Sequence, residues 1–251
     1  MSNTEPAPKS VVHGEFPVTQ WSLVLQAQRG TEAQAAKALD ELCRQYWFPL
    51  YAYLRRDGRS PHDAEDLTQA FFQHLLASAA FQSAQRDRGR LRSFLIGALR
   101  RYLVDHARHT GAQKRGGEAM IIPIDAHESE ESHPKESEWL LERDDPSTTF
   151  DRAWARDLIH RVTRSVRASY ETAGRLQVFE LLQEHLAWNA RGLSYRTAAA
   201  ALNVSEATVR VQVFRMRQLF RERLEAEVAQ TVSSPGEVAE ELDGLMAVLA
   251  R

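Results

Sequence analysis

From Leu193-Ser-Tyr-Arg-Thr-Ala-Ala-Ala-Ala-Leu-Asn-Val-Ser-Glu-Ala-Thr-Val-Arg-Val-Gln-Val-Phe-Arg-Met-Arg217 the chain reads as two helices with almost nothing between them. Ser194 offers an N-cap to a first helix of mostly alanine, whose small side chains let another helix approach closely. Asn203 is one of the few non-glycine residues that tolerate positive φ at a helix end, and Ser205 offers the next N-cap. Val209, Val213, Met216 and Phe220 then recur at steps of four, three and four, one face of a second helix. Thr208, Val211 and Arg215 fall on the opposite face, and Arg210, Arg217 and Arg221 line a flank. A helix anchored on one side and arginine-bearing on the other suits a DNA major groove, where guanidinium groups bridge phosphates or fork onto guanine edges. An alanine-rich hairpin with solvated charges fits this segment too, so the segment alone leaves both readings open.

The rest of the chain narrows the choice. Its 251 residues, 43% hydrophobic and 26% charged, suffice for one or two globular domains. No apolar run reaches the length of a membrane span, and residues 1–10 lack the basic-then-apolar order of a signal peptide. A single cysteine, Cys43, excludes an internal disulfide and, within the helical pattern Leu39, Leu42, Tyr46, reads as a buried inert thiol in a reducing cytoplasm. The net charge of −2 hides a segregation. Between Arg86 and Arg115 nine basic residues face two acidic ones, and between Glu118 and Asp145 ten acidic residues face two basic ones. Local field rather than total charge governs attraction to a polyanion.

Periodicity of 3.6 recurs from end to end and β alternation nowhere, which predicts an all-α fold: two helical domains joined by a flexible acidic linker. Residues 1–17 read as a disordered tail, 18–110 as the first domain, 111–146 as the linker, 147–228 as the second domain and 229–251 as an amphipathic acidic tail. Thr19 is placed to cap a short helix. A longer one spans about Glu32 to Arg56, which Pro49 should kink or divide. Ser60-Pro61 opens a strongly signalled helix with Asp63, Glu65 and Asp66 in its first turn, where the dipole favours negative charge. A basic loop from Gln82 to Arg92 leads into a helix from Ser93 to about His109, with Phe94, Leu95, Ala98, Leu99 and Tyr102 inward.

Asp63-Ala-Glu-Asp-Leu-Thr-Gln-Ala-Phe-Phe-Gln-His-Leu-Leu76, followed by Phe94-Leu95 and Tyr102-Leu-Val-Asp-His-Ala-Arg108, resembles region 2 of a bacterial RNA polymerase sigma factor. The 193–217 hairpin resembles region 4 of the same family. Two such modules with no region 3 between them resemble the extracytoplasmic-function group of sigma-70-like factors. The order of the two motifs is more specific than either alone, and the resemblance covers residues 18–110 and 150–225.

That resemblance implies a role in transcription initiation, with core RNA polymerase (β′ clamp and β flap) and promoter DNA as partners. It implies that Asp63, Asp66, Gln69 and Gln73 meet the polymerase clamp; the further acid often found in that motif is here Ala70, which thins the contact. The −10 element would be melted and held by Arg86, Arg88, Arg90, Arg92, Arg100, Arg101 and Arg108. Two departures from the family pattern, Phe94 for a tryptophan and Arg101 for an asparagine, keep the core role but leave the base-capturing pocket open. The −35 element would be read by Ser205, Thr208, Arg210, Arg215, Arg217 and Arg221. No catalytic residues, cofactor or metal site are expected: His106 and His109 are the only close histidine pair, and no phosphate loop or nucleophile elbow occurs. The expected location is the bacterial cytoplasm, associated with the nucleoid, with an anti-sigma factor as a further partner of such proteins. Two rivals remain: a homodimeric helix-turn-helix repressor, which leaves the acid-headed and arginine helices unexplained, and a sigma-like regulatory interaction protein. The acidic stretch Glu118–Asp145 has the charge to fold back over the arginine helix.

Overall fold

The computed structural model describes residues 20–77, 90–113, 144–186 and 193–250, and among these there are helices and turns but no strand. In chain order the helices are α1 Gln20–Arg29, α2 Glu32–Arg56, α3 Pro61–Ala77, α4 Leu91–Gln113, α5 Pro146–Thr172, α6 Leu176–Leu182, α7 Tyr195–Leu202, α8 Glu206–Ala229 and α9 Val238–Leu249. Thr19, Arg86, Arg88 and the acidic stretch up to Arg143 lie outside the described residues.

Local chemistry sets the helix ends. Thr31 and Gln34 form a capping box at the start of α2, each side chain bonding the other's backbone N–H. Ser60 accepts from the Asp63 N–H at 3.1 Å and donates to its carboxylate at 2.7 Å, with Pro61 opening α3. Asp145 caps α5 by accepting from the N–H groups of Ser147 and Thr148 at 2.9 and 3.2 Å. The Thr148 hydroxyl, followed by these N–H groups, holds the Asp145 carboxyl below its ordinary range despite partial burial. At the far end of α2, Asp57-Gly58 turns the chain, with Gly58 at φ 92, where a side chain would be strained.

Pro49 does not divide α2, which runs unbroken for 25 residues. Pro49 is itself buried, and the helix around it supplies Tyr46, Leu50, Tyr53 and Leu54 to the core, so packing outweighs one missing backbone bond. The second difference is the start of α4. It begins at Leu91 rather than Ser93, which puts Arg92 inside the helix. Further on, α6 runs directly into a 3-10 turn, Gln183–Leu186.

Helix α5 is the shared wall of the molecule. It packs along α2 on one side and along α8 and α9 on others. Its Phe150, Trp154, Leu158, Val162 and Val166 are all at most 1% exposed and join one core that also holds Tyr46 and Leu50 of α2, Phe71 of α3, Leu99 of α4 and Val213 of α8. The N-terminal and C-terminal halves therefore meet through side chains and not only through the connecting chain.

Candidate nucleic-acid and polymerase interface

The turn between α7 and α8 is built as its residues require. Ser194 accepts from the Thr197 N–H at 3.1 Å to start α7. Asn203 sits at φ 54, ψ 45, and Val204 donates back to the Ala199 carbonyl at 3.0 Å, closing the helix end. Ser205 accepts from the Thr208 N–H at 3.1 Å and starts α8 two residues later. Ala198 and Ala199 are buried at the crossing, opposite Val209, Val213 and Met216 of α8. Phe220, the fourth member of the expected stripe, is only half-buried.

This anchoring turns the other side of α8 to solvent. Arg210, Arg215, Arg217 and Arg221 are exposed, as are Ser205 and Thr208, whose hydroxyls are 2.9 Å apart and cap the helix. The Arg210 guanidinium lies over the Tyr195 ring at 5.6 Å, which fixes its stem at the base of the turn. Arg217 donates to the His185 carbonyl at 2.8 Å and so also ties α8 to the 3-10 turn. Arg221 pairs loosely with Glu225 at 3.8 Å. Sequence reasoning placed Val211 on this face but passed over Phe214, which is 68% exposed with Val211 48% exposed beside it. The signal was available: 207, 211, 214 and 218 share a helical face opposite the buried stripe.

On α3, Ala64, Leu67, Thr68, Phe71, Phe72 and Leu75 face the core, leaving Asp63 and Asp66 exposed and Gln69 and Gln73 half-buried on the other side. Asp66, Gln69 and Gln73 follow at steps of three and four and share a face, with His62 3.7 Å from Asp66 at its N-terminal end. Asp63 lies round the helix, engaged with Ser60. The structure therefore brings together three of the four residues expected at the polymerase contact.

The arginines of the second set separate into two groups. Arg100, Arg101 and Arg108 of α4 are exposed. Arg100 donates to the Tyr53 hydroxyl at 3.2 Å and to Ser147 of α5 at 2.5 Å, while Arg108 lies 3.7 Å from Asp105. Beside them the rings of His74 and His106 flank Tyr102 at 5.1 and 5.6 Å. Arg90 and Arg92 are arranged differently, and Arg92 is not displayed as a surface phosphate contact here. Arg92 is buried: its guanidinium forks onto both carboxylate oxygens of Glu241 at 2.7 and 3.0 Å, touches Asp151 and lies over the Trp154 ring. Burial works against its charge, but the two carboxylates outweigh burial and leave it more firmly protonated than an ordinary arginine. Asp151 is pushed up by burial, with Arg92 opposing. Arg90 reaches Glu241 at 2.9 Å and Glu240 at 3.1 Å. The physical reason is the early helix start: once α4 opens at Leu91, Arg92 points to the core side, and only a carboxylate from elsewhere can stabilise it there.

Among the described residues no group of three or more His, Cys, Asp or Glu is placed to hold a metal ion, and no helix is long and apolar enough to cross a membrane. No curated protein and no solved structure matches the chain. The family described as ECF sigma factor has a model that matches residues 22–230, from within α1 to just past the end of α8. With a match over most of its length, the chain belongs to the ECF sigma factor family, RNA polymerase sigma factors that act in transcription initiation with core polymerase and promoter DNA as partners.

Proposed function

We propose that this sigma factor directs recognition and melting of promoters through two modules, residues 18–110 at the −10 element and 147–228 at the −35 element. The observation that carries the reading is α8: buried Val209, Val213 and Met216 fix its orientation behind a capped left-handed turn, and its outer face carries Arg210 and Arg215 around Val211 and Phe214. Such a helix presents cations to phosphates and apolar groups to thymine methyls in the major groove. Ser205, Thr208, Arg217 and Arg221 take positioning roles along the same surface. Arg100, Arg101 and Arg108 supply backbone contacts at the −10 element, and the exposed imidazoles of His74 and His106, set on either side of the buried Tyr102 ring, offer flat faces against which unstacked bases rest. Asp66, Gln69 and Gln73 make the clamp contact, with Asp63 at its edge. The working location is the cytoplasm at the nucleoid, and an anti-sigma factor is a fitting regulator.

The test is reconstitution. Purified chain and core RNA polymerase should start transcription at specific, non-palindromic promoters recovered by footprinting the holoenzyme on genomic DNA. A dimer protecting a symmetric site without polymerase would replace this reading with that of a repressor. Tight polymerase binding with no initiation at any promoter would leave a sigma-like interaction protein.

A further inference from the structure

His185 enters the interface described above only through its carbonyl, yet it stands at the joint of three elements. Helix α6 ends in the 3-10 turn Gln183–Leu186, where Leu182 is fully buried and Leu186 packs against the core. The turn leaves His185 buried, with its Nε2 bonded to no partner among the described residues. A buried polar atom left unbonded costs stability, so hydrogen bonding by Nε2 is not what keeps the imidazole there. Its contacts are of other kinds. The ring lies against the Tyr195 ring at the start of α7, centroids 5.1 Å apart and planes tilted by 45°. Next in the series is the Arg210 guanidinium, 5.6 Å from the centroid of that same Tyr195 ring. The His185 carbonyl meanwhile accepts from Arg217 Nε at 2.8 Å. Arg210 and Arg217 stand two turns apart, about 10 Å along one flank of α8.

We propose that His185 is a positioning residue for recognition of the −35 element. The Arg217 bond seats its turn on α8, its ring backs Tyr195, and Tyr195 sets the Arg210 guanidinium before DNA arrives. The inference deepens the proposed function and rests on its reading of α8. What the relay supplies is order. A free arginine side chain gives up rotamer freedom when it grips a phosphate or a guanine edge, and one already held against a ring gives up less. Tyr195 is itself only half-buried, so the imidazole beside it supplies a wall that solvent would not. The buried contact that builds the hairpin is made elsewhere, by Ala198 and Ala199 with Val209, Val213 and Met216. Either ring can therefore be changed while the packing of α7 on α8 is kept.

The experiment uses the full chain with core RNA polymerase on two templates: a promoter recovered by holoenzyme footprinting, and the same promoter with its −35 element scrambled. Filter binding gives occupancy at limiting holoenzyme, and circular dichroism melting checks the fold of each variant. His185→Ala removes the ring and keeps the carbonyl. It should cut occupancy of the intact promoter about two- to twelvefold, the range for releasing one ordered side chain, and leave the scrambled template unchanged. His185→Phe, which restores a ring, should recover most of the loss. In an Arg210→Ala background, His185→Ala should change nothing further. Tyr195→Leu and Tyr195→Phe repeat the pair one step along the relay, so a poorly folding His185 variant does not stop the test. Three results overturn the positioning role and leave the −35 reading standing: full occupancy with His185→Ala or Tyr195→Leu, no rescue by the aromatic replacements, or losses that add to that of Arg210→Ala. Undiminished occupancy of the intact promoter by Arg210→Ala overturns the −35 reading of that arginine, and the relay falls with it.

Discussion

Asn203 shows how a single residue decides a motif. At φ 54 its backbone occupies the left-handed region, where the asparagine amide is tolerated and a β-carbon without that polar group is not. Asn203→Ala should therefore cost roughly 1–2 kcal/mol in urea unfolding, while Asn203→Gly should be near neutral; equal losses would mean that the turn is not under this constraint. This position was legible because the local code is complete, with Ser194, Asn203 and Ser205 each doing in the structure what its chemistry suggests. Cys43 was legible only in part, being half-buried rather than enclosed. Burial, aided by neighbouring Asp40, pushes its thiol from 9.0 up to about 12. Since thiolate is the reactive form, iodoacetamide at pH 8 should modify the native chain about a thousandfold more slowly than the urea-unfolded chain. Comparable rates would show a thiol open to solvent. Arg92 was not legible. Nothing near it in sequence announces a buried carboxylate 149 residues away.

At the scale of elements, periodicity found the core faces of α4 and α8, with Phe94 and Phe220 only half-buried, but not every boundary. The two-residue error at the start of α4 mattered most, because it moved Arg92 from a loop to a helix face turned toward the core. Pro49 was read by its local cost, whereas the length of α2 buried against α5 outweighed that cost. Helix α8 separates its arginines by task. Arg215 is exposed on the outer face beside Phe214, while Arg217 is tied to the His185 carbonyl. Arg215→Ala in the holoenzyme should weaken promoter complexes by about 1–3 kcal/mol with no change in thermal midpoint. Arg217→Ala should lower folding stability by about 1 kcal/mol as that bond is lost. Phe214→Ala, at a solvent-facing position, should leave stability within about 0.5 kcal/mol. It should also relax the preference for thymine over uracil at the −35 element, read by substituting the base in synthetic duplexes. An unchanged preference would remove the methyl contact from the reading.

For the whole molecule, the expectation of two modules on a tether described the sequence pattern and left out the surface between them. Composition exposes charge segregation, yet it does not say which acidic segment answers which basic one. The stretch Glu118–Asp145 had the charge to cover α4, and of it only Asp144 and Asp145 fall among the described residues, where Asp144 pairs with Arg152. The carboxylates that meet Arg90 and Arg92 among the described residues come from α9, with Asp151 of α5 also on Arg92. With about six arginines on phosphates, holoenzyme binding to promoter DNA should fall roughly thousandfold between about 50 and 200 mM salt. A flat response would leave the arginine surfaces without a polyanion to serve.

The Glu241 contacts also have a place in time. Synthesis runs from the N-terminus, so the partner carboxylate for Arg90 and Arg92 leaves the ribosome near the very end of translation, about 150 residues after the guanidinium groups it will meet. Until then Arg90 lacks both of its carboxylates and Arg92 has only Asp151, made 59 residues after it, so the docking of α9 is the last of these contacts to form. A chain clipped by a protease just before Val238 would return the protein to this juvenile condition.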